Sequence, residues 1–257
     1  MNIKGLLLVL TLNLSALHLF SQSLIQVNFA GNSGIAGPAG WNDYTGDGTT
    51  GTGLTDLTTS NGTATGIDLT LLDDWEGASN LGENTGNNSG AYPDDVMRSF
   101  LFDAQTAPNR IRISGLSQNM IYNFNFFSSR DGTFFQETRF IIDGQPVDVD
   151  AGGNINRVGK IPWVTADANG EVLIEVLNTS NFARINAMVI QAFPREYVLR
   201  INFNEGNPQA SPWNNTNGLP ETGLSLNNLT DESGSNTGVS LTLTDGFDGV
   251  NTEGVVT

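Results

Sequence analysis

The chain of 257 residues has no cysteine, a single histidine and only two lysines, Lys4 and Lys160. Without cysteine there can be no disulfide, so any folded domain must be held by its hydrophobic core. The histidine, His18, falls in an N-terminal stretch that reads as a leader. One positive charge (Lys4) precedes an apolar run from Gly5 to Leu12, continued by Leu14, Ala16, Leu17, Leu19 and Phe20. Ser21 and Ser23 then stand three and one residues before a cut at Leu24, the pattern of a secretory signal peptide. Asn13 and His18 interrupt the run, which is short for the roughly 20 apolar residues of a membrane span. No later stretch is apolar enough to cross a membrane, so no membrane insertion is expected.

Residues 24–257 therefore contain neither histidine nor cysteine. Ser-His-Asp and Cys-His nucleophile pairs cannot be built from them, nor can an ordinary zinc site, which needs nitrogen or sulfur ligands. Oxygen chemistry remains: carboxylates as acid and base, or carboxylates and carbonyls around calcium. Basic charge is also scarce, 11 Lys and Arg against 27 Asp and Glu, for a net charge of −16. Loss of Lys4 with the leader makes it −17. Such a surface repels phosphate backbones, so no nucleic-acid partner is expected.

What the chain does have is a pattern that occurs twice. Val27-Asn28-Phe29 returns as Ile201-Asn202-Phe203, Trp41-Asn42 as Trp213-Asn214, and Leu57-Thr58 as Leu229-Thr230. Thr65-Gly66-Ile67-Asp68-Leu69-Thr70-Leu71 returns as Thr237-Gly238-Val239-Ser240-Leu241-Thr242-Leu243. Asp73, Trp75, Glu76, Gly77 and Gly82 return as Asp245, Phe247, Asp248, Gly249 and Gly254. An offset of 172 residues, from Trp41 to Trp213, is far longer than the roughly 20–50 of a solenoid repeat. It is the size of a domain. The expected organisation is a signal peptide (1–23), one β-sandwich module (24–195) and an incomplete second copy (196–257).

Within the module, strands and loops follow one another with hardly a helix. Leu24 to Phe29 is a short apolar strand. A Gly/Thr/Asn/Asp-rich stretch from Gly31 to Gly66 is too rich in turn formers for much regular structure. Ile67, Leu69 and Leu71 alternate with polar residues, the mark of a half-buried strand. A second loop runs from Asp73 to Asp95. Strands are then expected at Met97–Asp103, Arg110–Ser114, Ile121–Ser128, Arg139–Asp143, Pro146–Asp150, Glu171–Leu177 and Ala183–Phe193. Tyr122, Phe124 and Phe126 should share one face, with Asn123 and Asn125 on the other. Asp143-Gly144 is a hairpin signal, because both positions accept positive φ. Eight or nine short strands predict an all-β sandwich, and the long early loops predict a jelly roll.

The series Asn-Phe, Trp-Asn, Gly-x-x-Leu-Thr-Leu, Tyr92-Pro93-Asp94-Asp95, Tyr122-Asn123-Phe124, Ser129-Arg130 and Arg184-Ile185-Asn186-Ala187-Met188 resembles modules of large secreted proteins from polysaccharide-degrading Gram-negative bacteria. Those modules are similar to galactose-binding-like and malectin-like jelly rolls. The resemblance implies an extracellular or cell-surface accessory module, often directed at glycans, and assigns no binding residue.

The residues themselves offer candidates. Sugars present C–H faces to aromatic rings and hydroxyls to amides and carboxylates. Trp41, Asn42, Trp75, Tyr92, Asp94, Asp95 and Arg130 form the candidate ligand-binding set, all in or beside the long loops. The alternative is that Trp41 and Trp75 plug the ends of the sandwich. Asp73 and Glu76 are candidate ligands for a structural calcium ion, against the alternative of turn capping. Asp43-x-Thr45-x-Asp47-Gly48 begins like a calcium loop, yet its twelfth position is Leu54 where the pattern requires Glu. No spacing identifies two carboxylates that could flank a glycosidic bond. The expected function is non-catalytic binding of a glycan, neutral because the protein is acidic. The rivals are a structural or adhesive spacer without a sugar site, and a carboxylate-based hydrolase or lyase.

Overall fold

A computed structural model describes residues 23–33, 35–195, 198–219 and 221–247. The expected leader up to position 22, Glu196 of the expected module boundary and the second-copy positions from Asp248 onward lie outside the described residues. The first half carries β1 (Ser23–Asn28), β2 (Asn42–Asp43), β3 (Gly53–Leu54), β4 (Asp68–Leu71) and β5 (Gly77–Ser79). A short helix, α1 (Asp94–Arg98), leads into β6 (Phe100–Asp103), β7 (Asn109–Ser114), β8 (Met120–Phe127), β9 (Glu137–Ile142) and β10 (Gln145–Asp150). Then come β11 (Gly159–Val164), β12 (Val172–Asn178), β13 (Ala183–Ile185) and β14 (Ala187–Pro194).

Two sheets make the sandwich. One has the order β11-β8-β14-β1-β2, the other β10-β9-β12-β7-β4-β3, and a small third sheet has the order β13-β6-β5. The period-2 expectation holds on β8: Tyr122, Phe124 and Phe126 are buried, while Asn123 and Asn125 face outward and are half-buried. Ile25 and Val27 of β1 and Met188, Ile190 and Ala192 of β14 fill the same core. Leu69, Leu71, Ile111, Ile113, Phe140, Ile174 and Val176 meet them from the second sheet. Phe126 and Phe140 stack across the interface with centroids 4.4 Å apart and planes 4° from parallel. Burying each such side chain is worth about 1.5–3 kcal/mol. The Asp143-Gly144 turn joins β9 to β10 with φ of 50° and 76°, the paired positive values of a type I′ hairpin.

Some expectations need correction. The apolar run from Met97 is not one strand. Asp94 and Asp95 sit in the first turn of α1, where acidic side chains favour the helix dipole, and the extended chain resumes only at Phe100. The last strand is interrupted at Asn186. Its buried side chain accepts from the Ser129 amide (2.7 Å) and donates to the Met97 carbonyl (2.6 Å), tying α1 to the sheet. β11 was hidden by Gly159 and Pro162. It is the edge strand on which proline is tolerated, and its register shifts between Ile161 and Val164.

After Val198 the local wiring of the first module recurs in β15 (Ile201–Asn202), β16 (Asn214–Asn215), β17 (Ser225–Leu226) and β18 (Leu241–Thr242). The parallel pairing of β1 with β2 has its counterpart in β15 with β16. The Leu57 amide donates to Ile67 at 2.7 Å, and the Leu229 amide to Val239 at 2.7 Å. Burial differs. Phe29 is 0% exposed and its counterpart Phe203 44%; Trp75 is 5% exposed and Phe247 55%.

Candidate functional site

The outer face of the five-stranded sheet has two parts. Phe127 and Ala187 point outward near one end, where Val96 and Met97 of α1 bury them together with Trp41, Tyr92 and Val158. Tyr92 meets Trp41 edge-on at 5.5 Å and Phe127 edge-on at 5.3 Å. Burial pushes the Tyr92 hydroxyl up to about 12, so it stays protonated at working pH.

Beyond this cap the face is open. Strand register sets its side chains in two rows. Lys160, Asn125, Val189 and Gln26 lie side by side across β11, β8, β14 and β1; Asn123, Gln191 and Leu24 form the next row. At about 4.7–4.9 Å per strand, the four-strand row spans roughly 14 Å. Ala91, Tyr92, Asn156 and Val158 wall one side of this groove, whose volume is about 560 Å³. Among the described residues, the side chains of Gln26, Asn125 and Gln191 make no hydrogen bond within the chain, and Lys160 makes no ion pair. Short amide groups on an open sheet, with Tyr92 in the groove lining, suit the hydroxyls of a sugar chain.

The structure disperses the expected ligand-binding set. Trp41 and Tyr92 do meet beside the groove. Trp75 does not join them: it is in the main core, and its indole nitrogen is buried without a partner. It plugs the sandwich rather than offering a platform. Asn42 is fully engaged by the fold. Its amide donates to the Gln26 and Thr58 carbonyls (2.9 and 2.8 Å), and its oxygen accepts from the Thr58 amide and hydroxyl (2.8 and 3.1 Å). Asp94 accepts from the Thr85 amide and hydroxyl and from the Asn88 amide (2.9, 2.7 and 3.1 Å), which organises the loop ahead of α1. Desolvation pushes its carboxyl up, but these bonds outweigh it and hold the pKa below the usual value. Asp95 is exposed on α1. Arg130 lies elsewhere, donating to the Leu81 carbonyl at 2.8 Å and lining a small aromatic pocket.

Asp73 and Glu76 do not form a cation site together. Both Asp73 oxygens are taken by the Arg110 guanidinium, at 2.8 and 2.9 Å. That fork holds the Asp73 carboxyl below its usual range. Glu76 instead accepts from the Ala104 amide at 3.2 Å. A calcium ion at Asp73 would have to displace a guanidinium, so the residues present do not fit it. Among the described residues no three His, Cys, Asp or Glu side chains cluster to hold a metal.

Sequence reasoning placed Asn123 and Asn125 on the outer face but missed Gln26, Gln191 and Lys160. Each is a lone polar residue inside an apolar strand, such as Gln191 in Val189-Ile190-Gln191-Ala192. That is the signal that could have found them.

No family model matches the chain, and no curated protein matches it. Among solved structures, a β-glucuronidase 2 from Bacteroides uniformis aligns over 66% of this chain and 18% of its own, at 12% identity and a TM-score of 0.40. The module CBM35 of Abf62 from Cellvibrio japonicus aligns over 48% of this chain and 91% of its own, at 14% identity and a TM-score of 0.27. The module TmCBM61, solved with β-1,4-galactotriose, aligns over 38% of this chain and 71% of its own, at 11% identity and a TM-score of 0.25. The chain thus spans under a fifth of the length of that glucuronidase. Similarity at this level does not identify a ligand.

Proposed function

We propose that this chain is a secreted, non-catalytic carbohydrate-binding module whose contact surface is the amide-lined groove on the outer face of the β11-β8-β14-β1-β2 sheet. The observation that carries this reading is the set of unpaired amides, Gln26, Asn125 and Gln191, on one open face beside Tyr92. Amides satisfy sugar hydroxyls without requiring charge. An acidic protein attracts no polyanion, so the ligand is a neutral polysaccharide. Affinity for one module is micromolar to millimolar, rising with multivalent display.

The test is affinity electrophoresis and a glycan array on the secreted protein, with Asn125→Ala and Gln191→Ala. Each substitution should weaken retention on a neutral polysaccharide at least fivefold while leaving the melting temperature in place. Retention unchanged in both variants would remove the groove from consideration. No retention by any polysaccharide would favour the spacer reading, which draws its support from Asn42, Trp75 and Asp94 all serving the fold.

A further inference from the structure

A second pocket, on the small β13-β6-β5 sheet, has chemistry opposite to the rest of the molecule. It is lined by Ser79, Phe100, Phe102, Arg130, Phe182 and Arg184 and holds about 190 Å³. Two arginines line it and no acid does, in a chain whose net charge is −16. Arg184 is 5% exposed. Its guanidinium lies over the Phe182 ring at 5.0 Å and the Phe100 ring at 5.7 Å. Those rings hold its charge by cation–π contact and supply no acceptor for its N–H groups. Nε is buried with no partner, and one terminal nitrogen has only the Phe182 carbonyl at 3.4 Å. Neither Arg184 nor Arg130 forms an ion pair among the described residues. Burial, with Arg130 beside it, lowers the Arg184 pKa to about 10, so it remains charged at neutral pH.

A buried guanidinium without a counter-charge is a costly arrangement, and a planar fork is the group best suited to a carboxylate. The volume lies below the roughly 300–1,000 Å³ of drug-sized sites, so the guest is a single ring or smaller. Phe102, edge-on to Phe100 at 6.1 Å and to Phe182 at 5.8 Å, completes an apolar wall on which a ring face can rest.

We propose that this pocket binds a carboxylate carried on one compact ring, the carboxylate on the Arg184 and Arg130 edges and the ring against the phenylalanines. A sugar acid or a simple aromatic acid could supply that chemistry. The site is separate from the amide groove and does not depend on its reading.

The experiment is calorimetric titration of the full secreted chain with glucuronate, benzoate, acetate and glucose. Glucuronate or benzoate should bind at least tenfold more tightly than acetate and glucose, and whichever binds identifies the source of the ring. Arg184→Gln and Arg130→Gln should each weaken that binding at least tenfold. Arg130→Gln serves alone if the more buried substitution unfolds the protein. Asn125→Ala in the groove should leave it unchanged, which separates this site from the one for neutral glycans. Acetate binding as well as the ring acids, glucose binding as well as glucuronate, or unaltered binding in Arg130→Gln would each overturn the proposal.

Discussion

Asn42 and Asn214 make the same four hydrogen bonds in two parts of the chain. The Asn214 amide donates to the Arg200 and Thr230 carbonyls (3.0 and 2.8 Å), and its oxygen accepts from the Thr230 amide and hydroxyl (2.9 and 3.1 Å). These are the partners of Asn42 shifted along the chain. A side chain that closes a loop in this way leaves several polar groups unpaired when removed, at about 1–3 kcal/mol for a buried one. Asn42→Ala should lower stability by about 2 kcal/mol in chemical denaturation. Asn214→Ala should leave the main transition where it is, because the strands around it carry little core.

Trp75→Ala should destabilise the protein by about 3–5 kcal/mol, the range for emptying a large aromatic site. Trp75→Phe should be far milder, since the indole nitrogen it removes has no partner in the core. A thermal melt of both variants separates packing from any sugar contact. Loss of glycan retention in a folded Trp75→Phe protein would contradict the placement of this ring in the core.

Acid should destabilise the module through its arginine–carboxylate pairs. Hydrogen bonding to Arg110 and to Arg139 holds the Asp73 and Asp148 carboxyls below the usual aspartate range. A depressed carboxyl contributes stability that is present above the unfolded value and is lost as pH falls through the folded one. The melting temperature should therefore be flat from neutral pH to about 5 and fall below about 4. Both pairs are well exposed, so each contributes little. Asp73→Asn should shave the acid limb without moving the neutral plateau.

Limited proteolysis should cut within residues 198–247 before it cuts 23–195. Phe203, Trp213, Val239 and Phe247 are exposed, and the only sheets among the described residues of this region are two-stranded, with two residues per strand; such pairs are marginal alone. Fragment masses check this. Equal resistance of both regions would show that the exposed rings are covered in solution.

Much of the sandwich was legible because its signals are local. Alternation on β8 and the Asp-Gly turn each dictate their own geometry. α1 was missed because Val96 and Met97 continue into Phe100 and Leu101 as one apolar run, which masks the local helix start at Asp94 and Asp95, and its packing against Phe127 is tertiary. The burial of Trp75 depends on residues distant in sequence. The roles of Asn42 and Asp94 depend on backbone atoms that no pattern of side chains reveals. Arg184 could have been noticed, an arginine between Ala183 and Ile185 in an apolar strand.

The pairing of β1 with β14, Asn28 opposite Ala187 and Ser23 opposite Ala192, has a consequence for how the chain is made. The strand of the module that is made first has as its antiparallel neighbour the strand that is made last. Until Ala187–Pro194 has been synthesised, β1 lacks that neighbour and β8 lacks the strand that links it to β1. Closing contacts so far apart is slow compared with forming hairpins. This sheet therefore cannot close until nearly the whole module has been translated.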